Sequence, residues 1–133
     1  MKKILHISTL LTLILILFSC SAKIGDWDDN IKLSTKSVEF GAAPDSVTIT
    51  TGGSWWWVNN VSVNGKSYCG FAGVSAEADT YKIQQDCFLV ERRNKNTLFI
   101  KIGENKESIK KTIIVNLEAG DYFGSVMITQ KPR

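Results

Sequence analysis

The sequence predicts an all-β fold, an immunoglobulin-like β-sandwich of about seven antiparallel strands. Three observations predict it. From Ile31 onward apolar and polar residues alternate with period two, turn residues recur at roughly ten-residue spacing, and no apolar spacing of three and four residues gives a helix a face to bury.

Leu33 to Phe40 (LSTKSVEF) directs Val38 and Phe40 inward, and Gly41 to Asp45 ends that strand with Pro44 as turn-former. Ser46 to Thr51 sets Val47 and Ile49 against threonines, which suit a pleated surface, and Gly52-Gly53 breaks the strand. Trp55 to Val63 (WWWVNNVSV) is a third strand, closed by Asn64-Gly65, the strongest short hairpin signal. Tyr81 to Glu91 holds the fourth. Leu98, Ile100 and Ile102 line the fifth, entered through the polar turn Arg92 to Asn96. Ile113, Val115 and Leu117 face inward in the sixth, which ends at Ala119-Gly120-Asp121. The seventh runs from Tyr122 to Gln130, with Val126 and Ile128 inward and Pro132 stopping it. Lys66 to Thr80 (KSYCGFAGVSAEADT) is the one irregular stretch, and long loops in compact domains are commonly functional.

Ahead of the domain, Met1, Lys2 and Lys3 open the chain with positive charge, and Ile4 to Phe18 is almost continuously apolar. That is the layout of a signal peptide, and its apolar run would span only roughly 23 Å as a helix, short of the ~30 Å a permanent membrane helix must cross. Leu17, Phe18, Ser19 and Cys20 resemble the lipobox of bacterial lipoproteins, in which the cysteine is acylated and the leader, here residues 1–19, is cut away. The resemblance implies an outer-membrane lipoprotein held at Cys20, facing either the periplasm or the cell surface. Residues 20–30 (CSAKIGDWDDN) are polar, acidic and without periodicity, a flexible tether to a domain of residues 31–133.

Loss of the leader removes Lys2 and Lys3, leaving 14 basic against 13 acidic residues and a net charge near +1. No Lys/Arg stripe argues for nucleic acid. The single histidine, His6, also departs, which excludes Ser-His-Asp and Cys-His catalysis and histidine metal sites. Carboxylates cluster at Asp26, Asp28 and Asp29 and at Glu77, Asp79 and Asp86. A tether and a loop do not supply the two rigidly spaced carboxylates of a glycosidase, and no EF-hand spacing occurs. The chain is therefore expected to be neither an enzyme nor a resident of any metal or cofactor. Asn60-Val61-Ser62 is a sequon in form and a strand in context.

Cys69 and Cys87 remain once Cys20 is lipidated, and in an oxidising envelope they are expected to form a disulfide closing the irregular loop, with buried free thiols as the alternative. Two cysteines without histidine make a poor zinc site.

Trp55, Trp56 and Trp57 are the most informative residues. On a strand Trp55 and Trp57 share one side and Trp56 takes the other, so at least one indole leaves the core unless both faces are covered. Either one tryptophan pins the sandwich while its neighbours pack under the loop, or exposed rings stack on the apolar faces of sugars, with Tyr68, Phe71 and Tyr81 completing the platform. Tyr122 and Phe123 are expected to cap the sandwich.

An ordered set of short motifs runs through this pattern: Leu33-Ser34 with Val38-x-Phe40, Val47-Thr48-Ile49-Thr50, Gly53-Ser54 before tryptophan, Glu104-Asn105 followed by Lys110-Lys111-Thr112-Ile113, and Ile128-Thr129-Gln130. In these the chain resembles the BACON family, small immunoglobulin-like modules attached to secreted proteins and glycan-degrading enzymes of gut Bacteroidetes. Phe88 stands where that family usually has a second tryptophan, and Lys66 to Asp86 is longer than its connection. The resemblance implies a non-catalytic envelope module binding a glycan such as mucin or polysaccharide. The alternative is a structural spacer or protein-interaction module of a surface complex.

Overall fold

The computed structural model describes residues 27–133. The expected leader, the lipidation site Cys20 and the start of the tether lie outside the described residues. Nine strands form, β1 (Ser37–Phe40), β2 (Asp45–Thr50), β3 (Trp57–Val63), β4 (Lys66–Cys69), β5 (Tyr81–Gln85), β6 (Phe88–Arg93), β7 (Thr97–Ile102), β8 (Lys111–Ala119) and β9 (Tyr122–Gln130). They build a β-sandwich of two sheets, one in the order β1-β9-β8-β3-β4 and the other β2-β7-β6-β5.

The fold class is the expected one, with two strands more than seven. One is β4. Asn64 and Gly65 both take positive φ, 48° and 85°, which is the backbone of a tight hairpin turn, and the chain after it pairs back on β3 before becoming irregular. The other arises because Tyr81 to Glu91 is a hairpin rather than one strand, with β5 and β6 joined at Asp86-Cys87. Nor is every pairing antiparallel. β1 lies parallel to β9 at the edge of the larger sheet, Val38 opposite Ile128.

The inward faces follow the alternation. Phe40, Ile49, Leu98, Ile100, Ile102, Ile113, Val115, Leu117, Val126 and Ile128 are all buried, while Val38 and Val47 are half-buried against them. Burial of such side chains stabilises by about 1.5–3 kcal/mol each, before the entropy of ordering is subtracted.

Each end of the sandwich is tied by a buried polar side chain that donates to loop carbonyls, groups the sheet ladders leave without partners. At one end Gln130 Nε2 donates to the carbonyls of Gly103 (3.0 Å), Ala43 (3.1 Å) and Ala42 (3.2 Å), while Asn105 Nδ2 donates to those of Ile109 (2.9 Å) and Lys131 (3.0 Å). At the other, Arg92 projects inward from β6 and is 1% exposed. Its Nη1 reaches the carbonyls of Ala76 and Ala78 (both 2.9 Å) and Ser75 (3.2 Å), its Nη2 that of Ser54 and its Nε that of Lys95 (3.1 Å). The guanidinium carbon lies 4.5 Å from the centre of the Trp56 ring. Burial lowers the Arg92 pKa from its ordinary value, opposed by Tyr81, Asp79 and Glu77, and the group stays charged.

Removing Arg92 orphans five carbonyls. Arg92→Ala is expected to cost about 3–5 kcal/mol, as breaking a buried hydrogen-bonded charge network does. Its neighbour Arg93 is exposed, paired with Glu91 and stacked on Phe99, so Arg93→Ala is expected to cost about 1 kcal/mol or less. Urea unfolding of the two variants side by side checks the contrast.

Candidate functional site

The tryptophan triplet enters β3 at the Arg92 end, and its three rings part as strand parity requires. Trp56 turns inward, fully buried, its Nε1 donating to Thr51 Oγ1 (3.0 Å) and the Gly53 carbonyl (3.2 Å). It is the core pin. Its assignment to a ligand-contacting platform is corrected, because a ring with no exposed surface cannot stack on a sugar. Trp55 is 54% exposed and meets Trp57, half-buried on the same side, edge-on with 5.7 Å between ring centres.

Two depressions flank this pair, and Trp55 borders both. One, of about 490 Å³, is lined by Trp27, Asn30, Ser54, Trp55, Asp121 and Tyr122 among others. The second, of about 290 Å³, is lined by Trp55, Trp57 and Val74 to Glu77. Each offers an apolar wall with a few polar groups, the composition of small-molecule sites in general.

The first depression is held from below by the segment that leads into the domain. Asp29 Oδ1 accepts from the backbone N–H of Lys32 (2.7 Å) and Ile31 (3.1 Å), and its Oδ2 pairs with Lys36 (3.4 Å). The Lys32 amide chiefly holds the Asp29 carboxyl below the usual carboxylate range. Burial raises the Tyr122 hydroxyl, and the neighbouring Asp29 charge adds to that. The chain then crosses Gly53 so closely that a Cβ there would sit 1.9 Å from the Asn30 carbonyl oxygen. Only glycine fits, so Gly53 does more than break a strand: it lets residues 30–31 lie over the root of the tryptophan loop.

The other residues assigned to a platform are not brought to it. Tyr68 points between the sheets and meets Phe88 edge-on at 5.5 Å. Phe71 packs against the core. Tyr81, also half-buried, spans the two sheets, its hydroxyl accepting the Val58 N–H at 2.9 Å, and burial raises its pKa. Phe123 does not cap the sandwich; at 64% exposure it stands on the outer face of β9. Among the described residues no cluster of three His, Cys, Asp or Glu side chains could hold a metal. Four residues escaped the sequence pattern. Trp27 lay in the acidic tether, Arg92 in an expected turn, and Asn59 and Asn60 beside each other where alternation breaks.

The expected disulfide is also corrected. Cys69 and Cys87 are free. Tyr68 faces the core, so Cys69 beside it on β4 faces out and is exposed, whereas Cys87 sits in the β5–β6 turn of the other sheet, partly packed on the core. A bridge needs the two Cβ atoms turned toward each other. In a Cys20→Ser chain without reductant, two thiols per molecule are expected to react with a chromogenic disulfide reagent, Cys69 faster than Cys87.

Comparison with family models and with curated proteins gives no match. Among solved structures the chain is similar to the NMR structure of a protein from Bacteroides thetaiotaomicron, with a TM-score of 0.66 and 18% identity over 84% of this chain and 95% of that one. At that identity the likeness is one of fold: both chains are the same kind of β-sandwich.

Proposed function

We propose that the chain is a non-catalytic cell-envelope lipoprotein, anchored through Cys20, that binds a glycan such as mucin or polysaccharide at the Trp55–Trp57 pair. The observation that carries this is Trp55, an indole more than half exposed yet fixed on a rigid mount, since the carbonyl of Ser54 just before it is gripped by Arg92 and its edge rests on Trp57. A ring so placed presents a flat apolar face with little conformational entropy left to lose on binding. Asn30, Ser54, Asp121 and Glu77 around it can orient hydroxyl groups. The BACON-like motifs agree with this reading. A second reading, a structural spacer or protein-interaction module of a surface complex, draws on Phe123 and Met127, apolar residues exposed on the outer face of β9.

A glycan array of mucin and plant polysaccharides tests the first reading. Trp55→Ala is expected to weaken binding by about tenfold or more, the equivalent of roughly 60 Å² of apolar surface no longer buried, while leaving the unfolding midpoint in place. Trp56→Ala is expected to lose the fold instead, at about 3–5 kcal/mol. Retained glycan binding in Trp55→Ala would defeat the reading.

A further inference from the structure

The strand that carries Trp57 also carries a β-bulge. Register between β3 and β8 runs Trp57 opposite Glu118 and Val58 opposite Leu117, then slips so that Asn60 stands opposite Asn116. Asn59 is the extra residue. With it inserted, Val58 and Val61 both face the core while Asn59 and Asn60 both stand on the outer face. Three cross-strand rows then cover that face: Trp57, Glu118 and Phe123; Asn60, Asn116 and Ser125; Ser62, Ile114 and Met127. They extend about 13 Å along the strands, at ~3.3 Å per residue.

The middle of the face is a chain of amides. Asn116 Nδ2 donates to Asn60 Oδ1 (2.7 Å), Asn60 Nδ2 to Asn59 Oδ1 (3.1 Å), and Asn59 Nδ2 to Glu118 Oε2. Each amide carries two donors and two acceptor lone pairs, so bonding along the chain leaves capacity directed outward and fixes the rotamers that present it. Glu118 is the only charged residue in the three rows. The outer face of the four-stranded sheet is the opposite, with Lys82, Glu91, Arg93 and Lys101 in its rows, an ordinary solvated surface.

We infer that the outer face of β3, β8 and β9 is a track for an extended, uncharged saccharide chain that continues from the Trp55–Trp57 pair. The inference rests on the glycan reading of that pair, with Trp57 belonging to both surfaces. Sugar hydroxyls both donate and accept, as amides do, and Phe123 and Trp57 offer flat apolar surface at the head of the track. An acidic polysaccharide would meet Glu118 and no cation.

The test uses the purified full-length protein and graded cello-, xylo- and manno-oligosaccharides of two to six units, with oligogalacturonides as the acidic series, read by calorimetry. In at least one neutral series affinity is expected to rise about tenfold or more from dimer to hexamer. Asn116→Ala and, on the exposed side, Ser125→Arg are expected to flatten that rise at an unchanged unfolding midpoint, whereas Trp55→Ala lowers every length alike. Length-independent binding that still needs Trp55 would overturn the track and leave the glycan reading standing. Tighter binding of the oligogalacturonides would overturn it too, as would sedimentation showing a dimer that Phe123→Arg dissociates, since the face would then belong to a second copy. Absence of binding in every series and on the array would remove both.

Discussion

A buried guanidinium organises the tryptophan end of the domain. Arg92 gathers carbonyls from three separate stretches of chain, at Ser54, at Ser75 to Ala78 and at Lys95, and lies on the indole of Trp56. None of its partners is a carboxylate, so the charge is solvated by dipoles that must all stay in place. Moving the tryptophan loop or the 70–80 loop would withdraw a carbonyl from a cation that has no water to replace it. An otherwise irregular stretch, rich in glycine, alanine and serine, thereby becomes part of a rigid frame. Arginine suits the position because its planar fork can serve several acceptors while its face stacks on a ring, which a lysine ammonium cannot do.

The exposed tryptophan is a consequence of that frame. Trp56 occupies the site under Arg92, parity sends Trp55 and Trp57 the other way, and the two outward rings are left to rest on one another. The far end of the sandwich, knotted by Gln130 and Asn105, shows the same device with neutral amides and carries no comparable aromatic display. Among the described residues, the buried side-chain polar atom that lacks a partner, Gln130 Oε1, also lies there.

Much of the fold is legible in the sequence, for a physical reason: a strand with one wet face must alternate, and the inward residues from Phe40 to Ile128 declare themselves. What escapes is local. The β5–β6 turn at Asp86-Cys87 uses neither glycine nor positive φ, so nothing in its residues announces it. β4 alternates over only four residues before the chain loses its pattern. The tryptophans show the limit most clearly. Counting back by twos from buried Val61 would send Trp57 and Trp55 inward and Trp56 outward; the inserted Asn59 inverts that parity, and the Asn59-Asn60 pair is its only trace in the sequence. Arg92 escapes because its burial depends on carbonyls supplied by residues up to 38 positions away.

The parallel pairing of β1 with β9 sets the order in which the domain can be completed. Residues 37–40 find their strand partners in 127–130, so the larger sheet keeps an open flank until those two distant segments meet. Contacts of such long separation in sequence are slow to close, because the whole intervening loop must be organised first.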